Sequence, residues 1–157
     1  MLQTARIFRL LTLASLQFGI FFQSAEAQQV QITGFSDIAL GSWTGSGDLS
    51  SEDGLCVYNS ATANYRIRAS GSGAGNAFSL SGVGDDVDYE VRFREDPGSY
   101  VSLTAHTFQN YTGANQVSPS CSGVDNARLE VRVTAAELST VPSGNYSGTL
   151  TVLLETR

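Results

Sequence analysis

The chain has 157 residues with nine arginines, no lysine, 15 acidic residues and a formal net charge of −6. An acidic chain without a basic cluster argues against nucleic acid and anionic membrane surfaces as partners. Two cysteines and one histidine are too few for a structural zinc site, which takes four ligands, or for a catalytic one with three.

Residues 1–27 have the pattern of an export signal: Arg6 and Arg9, a mostly apolar run from Leu10 to Phe22, and Ala25-Glu26-Ala27 before the cleavage point expected after Ala27. That run is too short for a membrane span, which needs roughly 20 residues. The mature chain, 28–157, is therefore expected to be one exported domain of 157 − 27 = 130 residues, not inserted in a membrane, with net charge −7 once Arg6, Arg9 and Glu26 are gone. In an exported protein an even cysteine pair reads as a disulfide, so Cys56 and Cys121 are expected to be bonded.

Along the chain, Val30, Ile32, Phe35, Ile38 and Leu40 predict two short strands within Gln28 to Trp43, interrupted at Gly34 and Gly41. Thr44 to Gly54 reads as a loop and Leu55 to Tyr58 as a short strand. Tyr65, Ile67 and Ala69 alternate with Arg66 and Arg68; Val87, Tyr89, Val91 and Phe93 alternate with Asp88, Glu90, Arg92 and Arg94. Gly71 to Asn76 and Asp96-Pro97-Gly98 are turns, Phe78-Leu80 and Val101-Leu103 short strands, and His106 to Asn126 a polar loop. Leu129, Val131 and Val133 form one strand, Ala135 to Leu138 is the most helix-like piece, and a last strand runs from Tyr146 through Leu150 and Val152 to Leu154. Seven to nine short strands with frequent turns predict an all-β, immunoglobulin-like antiparallel sandwich.

The sequence ends three residues after Leu154. A strand this apolar must pair inside a sheet, so the origin of its neighbours becomes the functional question. Alternation also predicts Tyr65, Ile67, Val91, Phe93, Leu129, Val131, Tyr146, Leu150 and Val152 inside, and Arg66, Glu90, Arg92, Glu130 and Arg132 outside.

No residue pattern suggests an enzyme. His106 has no nucleophile-elbow context, and Asp85, Asp86 and Asp88 lack the spacing of a calcium loop. No acid sits in an apolar setting that would raise its pKa for glycoside hydrolysis. Neither a catalytic residue nor a cofactor or metal ligand is assigned.

Three segments carry a family resemblance. Asp37-Ile38-Ala39-Leu40-Gly41-Ser42-Trp43 resembles the D-L-x-F-G-x-Y strand of the spore coat protein U family. Leu55-Cys56-Val57 with Tyr65-Arg66-Ile67 and Gly71 to Gly75 resembles its V-x-C, Y-x-V and G-x-G elements. Pro142 to Val152 is similar to its C-terminal P-A-G-x-Y-x-D-T-L-x-V strand, with Gly148 in place of the acidic residue. The resemblance covers most of 30–157 and implies a subunit of the archaic chaperone–usher pilus type, whose sandwich lacks its final strand.

It implies as partners a periplasmic chaperone, an outer-membrane usher and neighbouring subunits, and a role in a pilus, a biofilm or a spore coat. Tyr146, Leu150, Val152 and Leu154 would edge the groove for a donated strand, and Val30 and Ile32 would be the apolar positions of a candidate donor arm. The arm is short: Gln28 to Ser36 span only about 30 Å fully extended. The alternative is a self-complete secreted sandwich that binds a ligand such as a glycan through Trp43, Tyr100, Phe108 and Tyr111.

Overall fold

The computed structural model describes residues 28–157; the export signal and its cleavage point lie outside the described residues. The strands in chain order are β1 (Val30–Thr33), β2 (Leu49–Asn59), β3 (Tyr65–Ser70), β4 (Ser79–Leu80), β5 (Val87–Asp88), β6 (Glu90–Glu95), β7 (Val101–Ser102), β8 (Phe108–Tyr111), β9 (Ala127–Val133) and β10 (Thr151–Thr156), with one short helix, α1 (Ala135–Leu138), between the last two. One sheet runs β1-β2-β9-β6-β7 and the second β10-β3-β8, with β4 and β5 paired beside them. All these strand pairs are antiparallel.

The topology is that of an immunoglobulin-like sandwich with a position unfilled. β1-β2-β9-β6 reproduces the A-B-E-D order of that fold and β10-β3 the F-C order. Among the described residues no strand stands where G would lie, on the far side of β10 from β3. The last strand begins at Thr151 and not at Tyr146 as expected; Tyr146 precedes it as the tyrosine of an E–F corner does, its hydroxyl 2.9 Å from the Pro142 carbonyl oxygen, four residues back, and 2.5 Å from that of Val83.

The core follows from the alternation. Tyr65, Ile67 and Ala69 of β3 face Val91 and Phe93 of β6 and Leu129, Val131 and Val133 of β9, all buried. Tyr111 closes the β8 end, stacked on Tyr65 with ring centroids 5.6 Å apart and edge-on to Phe93 at 4.8 Å. On the outer face of the larger sheet arginines pair with carboxylates, across strands from Arg92 to Glu130, Arg128 to Asp96 and Arg132 to Asp48, and along the β6 chain from Arg94 to Asp96. That pairing is why Arg92, Glu130 and Arg132 are only partly exposed, where alternation alone puts them outside.

Several expected boundaries are corrected. Thr44 to Gly54 is not wholly a loop: β2 begins at Leu49, because Leu49 to Leu55 pair residue for residue with β9, and that ladder overrides the weak strand propensity of Ser50-Ser51-Glu52-Asp53-Gly54. His106 to Asn126 contains β8, which pairs with β3. Val87 to Phe93 is two strands, since the Tyr89 amide donates to the Phe78 carbonyl at the change of partner from β4 to β9. Only Val30–Thr33 of the N-terminal stretch is strand. It ends at Gly34, whose φ of 101° and a 2.5 Å approach of its virtual Cβ to the Gly54 carbonyl oxygen leave no room for a side chain.

Candidate functional site: an open cleft beside the C-terminal strand

β10 is paired on one side only. Thr151 to Thr156 match Ser70 to Tyr65 of β3, and the backbone groups pointing the other way meet no strand among the described residues. Leu150, Val152 and Leu154 turn toward the core yet remain half-buried, as does Tyr146, although alternation predicts Tyr146, Leu150 and Val152 inside. The reason lies in their surroundings: among the described residues no hydrogen-bonded strand covers them on the side where the next strand of a complete sandwich would be.

A cleft of about 310 Å³ opens there. One wall is Gly148 to Leu150 with Val152, the other is Phe35 to Ile38 with Leu40, and the floor includes Leu129 and Val131 of the core. A wider space of about 540 Å³ continues it toward Trp43, Leu138, Val141 and Tyr146. Leu154 lies at the opposite end, with Gln28 and Val30 around a third depression. Burial raises the pKa of the Tyr89 hydroxyl in the cleft wall, so it stays neutral and can only donate or accept hydrogen bonds. The chemistry on offer is apolar contact plus an unpaired strand edge.

Gly148 has a physical role in this wall. A Cβ there would stand 2.9 Å from the Ser79 carbonyl oxygen and 3.1 Å from Ser72 Oγ. The chain crosses β4 closely at this point, with Ser81 and Ser147 exchanging both backbone hydrogen bonds at 2.9 and 3.0 Å. An acidic side chain, as in the resembled motif, would not fit without moving β4.

Val30 and Ile32 lie in β1 and pair with Asn59 and Val57 of β2 within the same chain. Cys56 and Cys121 are joined, with Cα atoms 5.6 Å apart. The bond ties the 112–126 loop to the part of β2 where Asn115 also hydrogen-bonds Val57 and Asn59 through the backbone at 2.8 and 2.9 Å.

The four aromatics considered for a glycan surface are engaged internally. The Trp43 indole donates to the Gly47 carbonyl at 2.8 Å, Tyr100 lies beneath the Arg92 and Arg94 guanidiniums, and Phe108 lies beneath Arg66 and Arg68. Tyr111 packs into the core as above; burial first, and then the Glu95 carboxylate, push its hydroxyl up to about 12. His106 is exposed with Nδ1 3.3 Å from Ser70 Oγ, and Asp85, Asp86 and Asp88 are exposed. Among the described residues no group of three or more histidines, cysteines or acids is placed to hold a metal ion.

No protein-family model matches the chain. No curated protein matches it either. Among solved structures, a chain from the one described as "Chaperone-tip adhesin complex is vital for synergistic activation of CFA/I fimbriae biogenesis" is similar in fold, with a TM-score of 0.53 at 15% identity. The alignment covers 82% of this chain and 42% of that one, so the present chain spans less than half of its neighbour's length.

Proposed function

We propose that this chain is a non-enzymatic, exported subunit of a chaperone–usher fimbrium or a related surface layer, and that its cleft accepts a β-strand from another polypeptide. The observation that carries this reading is the unpaired edge of β10 above a cleft floored by Leu129 and Val131. An added strand satisfies the free backbone groups of β10, while its alternate apolar side chains complete the burial of Leu150, Val152 and Leu154. The resemblance to the spore coat protein U family implies a periplasmic chaperone, an usher and neighbouring subunits as partners, and the likeness in fold to a chain from a chaperone–tip adhesin complex supports the chaperone among them. The Cys56–Cys121 bond supports an oxidising compartment, reached by removal of residues 1–27.

The test is strand addition itself. Residues 28–157 produced in the periplasm without a chaperone should be oligomeric or degraded, since an apolar open edge is an aggregation hazard. A synthetic peptide of alternating valine and threonine should bind and raise the melting temperature, by about 2.7 kcal/mol of stabilisation at a hundredfold excess over Kd. A stable monomer that ignores such peptides would overturn the reading.

A further inference from the structure

We infer that the groove is half-filled by the chain's own Phe35–Trp43 segment, a latched strap that becomes a paired strand only when a donor strand enters; this rests on the strand-accepting reading above. The strap forms the wall opposite β10. Its Ile38 and Leu40 are half-buried and pack on the core from the cleft side, doing in part what a donor's apolar side chains would do.

Its backbone is what sets it apart. Among the described residues, no amide or carbonyl from Phe35 to Gly47 is bonded to another main-chain group. The strap is held instead by side chains at its ends. The Ser36 amide and hydroxyl donate to the two Asp53 carboxylate oxygens at 2.9 and 2.7 Å, and the Trp43 indole donates to Gly47. A segment without backbone partners, facing another unpaired strand edge across a cleft floored by Leu129 and Val131, leaves room for a middle strand between them.

At the other end the gap is shut. Cα atoms of β1 and β10 come within 8 Å of one another. A strand between them needs about 9.5 Å, twice the ordinary interstrand spacing. The empty groove has therefore drawn closed at β1 and is propped by the strap further along, so an inserted strand must displace both. The free protein competes with its own ligand, and apparent affinity falls by the fraction of molecules in the open arrangement.

Hydrogen exchange and peptide titration on residues 28–157, refolded from denaturant at low concentration and kept monomeric, with and without the valine–threonine peptide, test this directly. In the free protein the amides of Asp37 to Leu40 should exchange fast; with peptide bound they should become protected together with those amides of Thr151 to Leu154 that do not already bond β3. Asp53→Ala, which removes the latch but no core contact, should tighten peptide binding roughly three- to tenfold, the worth of one or two released hydrogen bonds. Protection at Thr151–Leu154 without protection in the strap would overturn the strap and leave the groove reading intact. So would an Asp53→Ala variant with unchanged or weaker binding. No binding by either protein would overturn both.

Discussion

Phe93 and Val152 occupy equivalent alternating positions in two strands of one sandwich, yet the first is fully buried and the second half-exposed. β6, which carries Phe93, is hydrogen-bonded to β9 on one side and β7 on the other. β10, which carries Val152, is bonded among the described residues only to β3. Alternation decides which face of a strand is apolar, but burial of that face is completed by strands on both sides. The closed half of this molecule has its neighbours in the chain; the open half ends at a cleft.

The largest contrast should come from truncating matched side chains. Phe93→Ala should cost about 3–5 kcal/mol of stability in urea unfolding, the usual toll of an aromatic cavity. Leu150→Ala, at the cleft wall, should cost only about 1–2 kcal/mol in the free protein, because part of its surface is already wet. With a donor-like peptide bound, the cost of Leu150→Ala should rise and that of Phe93→Ala should not. Equal costs for Leu150→Ala in both states would break the comparison between the halves.

The disulfide comes next. Cys56→Ser with Cys121→Ser opens a cross-link between residues 65 positions apart. The loss should be about 2–5 kcal/mol, about 4 on the loop-entropy account, read from the urea midpoint. The link fastens the 112–126 loop to β2, away from the cleft, so peptide affinity of the surviving folded fraction should change little.

The halves also differ in how much of them the sequence discloses. β3, β6 and β9 are legible because each alternates apolar and charged residues without interruption, and a cysteine pair in an exported chain points to its own bond. The first half of β2 is not legible, since Ser50 to Gly54 carry almost no strand signal and are held by the ladder to β9. β8 hides for the same reason: Phe108 and Tyr111 frame Gln109 and Asn110, and only pairing with Tyr65 to Arg68 makes the segment a strand. The C-terminal alternation is plain in the sequence. The opposite wall is not, because its position depends on where Gly34 turns the chain, and its lack of backbone partners is a property of topology that no local pattern encodes.

The smallest expected effect concerns charge on the closed half. The Asp48 carboxylate accepts from Arg132 Nε at 3.0 Å and from the Ala135 amide at 2.7 Å. The Arg132 hydrogen bond first, and the Ala135 amide second, hold its pKa below the ordinary carboxylate value. A carboxylate whose folded pKa lies below its unfolded value of about 3.9 adds stability above that pH and loses it as the pH falls through the folded pKa. Wild-type stability should therefore decline on acidification below about pH 4, and Asp48→Asn should flatten that part of the profile while lowering stability slightly at neutral pH. The pair is exposed, so 1 M salt should shrink the neutral-pH difference. Because Asp48 and Arg132 join β2 to β9 within the complete sheet, the acid slope should be the same with and without a bound donor peptide. A slope that changes on peptide binding would show that filling the cleft is felt on the outer face of the opposite sheet, and that the two halves are coupled.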